Sequence, residues 1–193
     1  MRRICSVIAM EFVRVTTWFL EMTDPGRLPA APEPLEGLEI RQAELPSPEF
    51  SRGLYTAVGA DWYWIDRFRW TWERWMDWLD RPELETWVAY VRGTPAGFFE
   101  LERDGDAVEL ASFGLLPAFI GRGIGTRLLD FALRRAFELE PARVWVHTCS
   151  LDGPAALRTY QGRGLEIYDE RVEDVLLPES KPEPWPGAER PAA

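Results

Sequence analysis

Residues 119–126 read Phe-Ile-Gly-Arg-Gly-Ile-Gly-Thr, with glycines at three alternate positions. Glycine takes backbone dihedrals other residues avoid, and it weakens a helix or strand interior. The run therefore marks a turn. Before it, residues 107–115 (Ala-Val-Glu-Leu-Ala-Ser-Phe-Gly-Leu) form a strand pattern. After it, Ile124, Leu128, Phe131 and Ala132 fall on one side of a helix over 123–138. A strand, a tight turn and a helix in that order commit the chain to a sheet with helices laid on it. The first amides of the helix have no internal partner, and its dipole favours an anion there. Arg122 adds a full positive charge, so the turn suits a diphosphate. The plain alternative is an ordinary glycine-rich turn.

The other patterns fill in the sheet. Residues 12–20 read as a strand, 24–36 as a Pro- and Gly-rich loop, and 37–42 as a short strand. Ser47-Pro48-Glu49 opens a capped helix over 47–57. A second helix is expected over 65–79, with Ile65, Phe68, Trp72, Trp75, Met76 and Leu79 on one stripe. Three strands follow (86–92, 96–103 and 107–115), separated by turns at Gly93-Thr94-Pro95 and Gly105, an antiparallel meander. A strand over 143–148, a helix over 153–162 and one or two closing strands over 165–176 complete the list. The expected fold is α/β (α+β), a mixed and mostly antiparallel sheet flanked by helices. The expected organisation is an N-terminal extension with a strand (1–36), a main domain (37–177) and a Pro-rich disordered tail (178–193).

Composition excludes several functions. A net charge of −10 argues against nucleic acid and anionic membranes, and it favours cationic ligands. Lys181 is the only lysine, so a P-loop is excluded. A dinucleotide fingerprint belongs in an early βα unit, whereas this turn follows a meander. His147 is the only histidine, which removes multi-His metal sites, and no metal is expected. Cys5 and Cys149 are too few for a disulfide scaffold and fit a reducing compartment. The apolar run in residues 1–10 is only about seven residues long with no clear cleavage site, which indicates a cytoplasmic start, Met10 being an alternative initiator. No run approaches the ~20 residues of a membrane span.

With the turn, two further stretches resemble the GNAT acyltransferase superfamily. Ile120-Gly121-Arg122-Gly123-Ile124-Gly125 is similar to its motif [QR]-x-x-G-x-[GA], with Ile120 where Gln or Arg is usual. Phe113-Gly114-Leu115-Leu116-Pro117 resembles its strand end, and residues 154–165 resemble its fourth-helix motif, Leu165 replacing a Phe. The resemblance covers roughly residues 37–171. It implies acetyl-CoA as co-substrate and no metal. The pantetheine arm would pair with the backbone at Leu115, followed by Leu116 and Pro117. The diphosphate would lie over Gly121, Arg122, Gly123, Ile124, Gly125 and Thr126. The thioester would lie between strands 107–115 and 143–148.

Amide formation needs a base, an oxyanion donor and a proton for the departing thiolate. Glu109 stands in an apolar strand, where burial would raise its pKa toward that of a useful base. It matches the glutamate of the histone-acetyltransferase members by its place fourteen residues before Gly123. The alternative is a solvent-facing or ion-paired residue. By the resemblance Tyr160 donates a proton to the thiolate; otherwise it is a core tyrosine. In the pose the resemblance implies, the Leu115 amide would polarise the thioester carbonyl as an oxyanion donor does. His147 is a relay or a hydrogen-bonded strand end, and Cys149 as a nucleophile would need a base beside it. Six tryptophans lie between Trp62 and Trp78. Trp62, Trp64 and Trp70 fall off the helical stripe and would, with Asp61 and Asp66, form an aromatic wall for an ammonium; plain packing is the alternative. The expected acceptor is a small-molecule amine. Protein lysines or N-termini, a non-catalytic acyl-CoA-binding domain and a purely structural partner are the competing functions. A homodimer is allowed.

Overall fold

The structure, a computed structural model, describes residues 10–181, 183–185 and 188. The expectations for residues 1–9, and for the tail at 182, 186–187 and 189–193, lie outside the described residues. The elements are β1 (Met10–Met22), β2 (Leu38–Gln42), α1 (Pro48–Gly59), α2 (Trp72–Leu79), β3 (Leu84–Val91), β4 (Thr94–Asp104), β5 (Ala107–Leu115), α3 (Ile124–Glu138), β6 (Arg143–Cys149), α4 (Ala156–Gly162) and β7 (Glu166–Pro178).

All seven strands form one sheet in the order β2-β3-β4-β5-β6-β1-β7. The meander β3–β4–β5 is present as expected, and the closing segment is one strand. Among the described residues the single parallel pair is β5–β6, as a crossover through α3 requires. Strand β1, from the segment expected as an extension, lies inside the sheet between β6 and β7.

Successive residues of a strand face opposite sides, and the core divides accordingly. Phe99 and Val108 join Leu128 and Leu133 of α3 in one cluster. Phe98 and Val88 join Leu54 and Val58 of α1 and Trp75 of α2 in another. Helices thus cover both faces. Ser47 caps α1 by accepting from the Phe50 amide, as its sequence predicts.

The helix expected over 65–79 is a correction. Only residues 72–79 are helical, capped by Thr71. Tyr63 is left-handed (φ 58°), and i→i+3 bonds from Phe68 to Ile65 and from Trp70 to Arg67 form separate turns. On a continuous helix Arg67 would lie opposite the apolar stripe. The turns swing it inward, where it bonds Glu100 at 2.8 Å. The stripe changes with it: Trp75 is 1% exposed but Trp72 is 56% exposed.

Strands β5 and β6 pair only through Ala107–Glu109 with Arg143–Trp145. Beyond that point they part, and a cavity lies in the opening.

Candidate active site

A cavity of about 900 Å³ occupies the opening. It runs from Gly121, Gly123, Gly125 and Thr126, past Leu115 and Tyr160, to Glu109, His147 and the rings of Trp62 and Trp64. Residues from five parts of the chain meet there because β5 and β6 diverge.

At one end, Gly121 (φ 80°) and Gly123 (φ 74°) hold left-handed conformations that a side chain would strain. Gly123 is the N-cap of α3, and no side chain caps the helix, so its leading amides stay unclaimed by a capping group. Arg127 braces the turn, donating to the Gly123 carbonyl at 2.9 Å and the Glu33 carbonyl at 2.7 Å. Arg122 is exposed, with its guanidinium 5.6 Å from the Phe119 ring centre. Ile124 is 1% exposed, so it offers only its amide. Uncapped amides, open glycines and Arg122 are what a diphosphate requires.

Of the three strand-end residues, Leu115 lines the cavity, whereas Leu116 packs on the α1–α2 cluster and Pro117 starts a 3-10 turn. The Leu116 amide donates to the Ala96 carbonyl of β4 at 2.9 Å. Amides alternate along an extended strand, so the Leu115 amide points the other way, into the opening. That orientation suits an oxyanion donor.

Glu109 stands opposite Trp145 in the last paired register of β5 and β6. His147 is two residues on, on the same face. Its Nδ1 lies 3.3 Å from Glu109 Oε1, with the histidine side chain half exposed and the carboxylate 18% exposed. The hydrogen bond to Glu109 raises the His147 pKa above 6.5, and the negative charges of Glu109, Asp152 and Asp66 add to this against burial. The structure thus joins two residues that the sequence treated separately. Tyr160 is buried against Phe113, with ring centres 5.9 Å apart. Burial, then the charge of Asp152, push its phenol well above the ordinary value, so it is protonated at neutral pH. The Cys149 thiol is also pushed up, by burial and then by Asp152. It remains a thiol, which disfavours it as a nucleophile.

Asp152 had no motif to announce it. It accepts from Thr148 Oγ1 at 2.7 Å and from the Cys149 amide at 2.9 Å, holding the end of β6 at the cavity. The tryptophans divide. Trp62 and Trp64 line the cavity, with Asp66 beside them. Trp70 does not join them; its ring packs 5.1 Å from Trp75 and 5.8 Å from Trp78. Trp70, Trp75, Trp78 and Tyr55 surround Arg67, the nearest ring centre being that of Trp78 at 4.3 Å. Trp70, Trp75 and Trp78 therefore cage the chain's own cation, and Arg67, Trp78 and Tyr55 border the cavity from that side.

The fold agrees with the comparisons. A sequence model described as the acetyltransferase (GNAT) family matches residues 44–165, and the chain belongs to that family. No curated protein matches the chain. Among solved structures, it is similar in fold to a GCN5-related N-acetyltransferase from Sphaerobacter thermophilus (TM-score 0.65, 20% identity, covering 90% of this chain and 54% of that one). A GCN5-related N-acetyltransferase from Kribbella flavida gives a TM-score of 0.60 at 19% identity, covering 89% of this chain and 60% of that one. The PaiA N-acetyltransferase from Thermoplasma acidophilum, in complex with coenzyme A, gives 0.51 at 19% identity, covering 75% and 98%. The chain spans about half the length of the first of these. Among the described residues, no three His, Cys, Asp or Glu side chains group as a metal site, and no helix is long and apolar enough to cross a membrane.

Proposed function

We propose that this chain transfers the acetyl group of acetyl-CoA to the primary amine of a small, cationic molecule by direct attack. The observation that carries the proposal is the Glu109–His147 pair, which faces the same cavity as the glycine turn. Acetyl-CoA would supply an activated acyl carbon as its thioester. The α3 amides and Arg122 hold the diphosphate. The Leu115 amide donates to the carbonyl oxygen as negative charge grows there. Glu109, with His147 beside it, takes the proton that an ammonium must lose before its nitrogen can attack. Tyr160, held neutral, donates toward the departing sulfur. Asp66, Glu109 and Asp152 give the cavity acidic character, and the Trp62 and Trp64 rings attract a cation.

A thermal shift with acetyl-CoA tests the first half. At a ligand concentration of about 100 times the dissociation constant, stabilisation is about 2.7 kcal/mol, or a rise of roughly 5–11 °C for a domain of this size. No shift at millimolar acetyl-CoA would defeat the proposal. A thiol-release assay over a panel of amines tests the second half. Glu109→Gln should cut kcat at least about 100-fold while leaving the shift intact. A non-catalytic binding domain would instead give no thiol release from any amine.

A further inference from the structure

The only lysine of the chain lies beside two rings that line this cavity. Lys181 Nζ is 5.6 Å from the ring centre of Trp62 and 5.9 Å from that of Tyr63, and both residues line the cavity. The arrangement follows from the topology. Strand β7 ends at Pro178, paired with Met10, and its last residues Val175–Leu177 themselves border the cavity. Three residues later the ammonium reaches the rings. The Trp62 ring in turn lies against Gly153, where an added Cβ would sit 3.5 Å from it, just ahead of α4 and Tyr160. Lys181 is exposed, and residues 179–181 pair with no strand.

We infer that Trp62 and Tyr63 form a primary-ammonium subsite and that Lys181 is an acceptor in cis, a self-acetylation site. The inference rests on the proposed acetyltransferase reaction. A lysine ammonium on two aromatic faces is held by the attraction that would hold an external amine. The tether gives it a high effective concentration at that wall. In the reaction, the Lys181 ammonium loses a proton to the Glu109–His147 pair, and its nitrogen attacks the thioester carbon. The C–N bond forms as the C–S bond breaks; the electron pair leaves with sulfur, which takes the Tyr160 proton, and the second proton lost by the nitrogen goes through solvent to restore the Tyr160 hydroxyl, giving acetyl-lysine and the free thiol of coenzyme A.

A single lysine makes the test clean, because any acetyl-lysine in the chain is at position 181. The full chain is incubated with isotope-labelled acetyl-CoA, and labelling is followed by intact mass and peptide sequencing. The expected result is one acetyl group on Lys181, added with a first-order rate that is unchanged over a hundredfold range of protein concentration. Lys181→Arg should abolish it, and Trp62→Ala should slow it about two- to fivefold, the worth of one exposed cation–π contact. Label that grows faster at higher protein concentration would overturn the inference, as would equal labelling of urea-unfolded chain. Turnover of external amines with Lys181 unlabelled would overturn it while leaving the acetyltransferase reading standing. Absence of any thermal shift with acetyl-CoA would remove the reading beneath it.

Discussion

Replacing Arg67 by methionine should be among the most damaging single changes outside the reaction path. Its guanidinium bonds Glu100 Oε2 at 2.8 Å, and the side chains are 11% and 1% exposed. The same carboxylate oxygen accepts from Ser112 Oγ at 3.0 Å and Trp78 Nε1 at 3.3 Å. Methionine fills part of the space between the rings but leaves a buried carboxylate with two neutral donors. Breaking a buried pair from one side costs about 3–5 kcal/mol, which includes the lost contacts with four aromatic rings. For a domain of this size that lowers Tm by roughly 6–20 °C. Removing both charges is cheaper than removing one, so Arg67→Met combined with Glu100→Gln should recover more than half the loss. Urea denaturation of the wild type, both single variants and the double variant, followed by circular dichroism, gives all four free energies. An Arg67→Met variant within about 1 kcal/mol of wild type, or a double variant no better than that single one, would refute the account of the cage.

Three further outcomes are expected. Gly123→Ala forces a side chain into a left-handed position, and the added Cβ would sit 2.9 Å from Arg127 Nη1; stability should fall by about 1–2 kcal/mol, and calorimetry should show acetyl-CoA binding weakened about tenfold or more. Gly59→Ala brings a Cβ to 2.2 Å from the Trp64 Cβ, so overpacking should cost about 1–3 kcal/mol, and displacement of Trp64 should raise KM for the amine. NMR titration of the single histidine should give a midpoint above 6.5, since Glu109 raises it, and Glu109→Gln should lower that midpoint. Because the folded pKa lies above the unfolded one, the His147–Glu109 pair stabilises the fold fully below about pH 6.5 and loses that effect as pH rises through the folded value.

Local patterns were legible and long-range placements were not. The meander, α3 and the Ser47 cap follow from periodicity and turn chemistry within about ten residues, and the structure keeps them. The glycine turn was legible for the same reason, since uncapped amides are a property of the helix start itself. Residues 65–71 misled because turn residues can also face inward at helical spacing; only the distant Glu100 explains why Arg67 turns in. For the same reason Trp70, placed on the acceptor wall by its off-stripe position, belongs to the cage. The union of Glu109 and His147 depends on the register of a parallel pair. That register is set by tertiary packing, and nothing in either segment announces it. Asp152 was invisible because its role depends on where β6 stops.

The place of β1 bears on how this sheet is assembled. Thr16 on β1 bonds Ser150 across 134 positions of sequence, and β1 also supplies the whole inner edge on which β7 rests. On a ribosome, β1 is made before both of its neighbours. The half of the sheet that forms one wall of the cavity must therefore wait for almost the entire domain, whereas β3, β4 and β5 close through short turns as they emerge. Pairing over such a span is slow, and the waiting strand presents open edges on both sides. In refolding, the meander and α3 should become protected from hydrogen exchange early, and β1, β6 and β7 together in a later phase. The cleft lies along the seam between the two, so it is completed last.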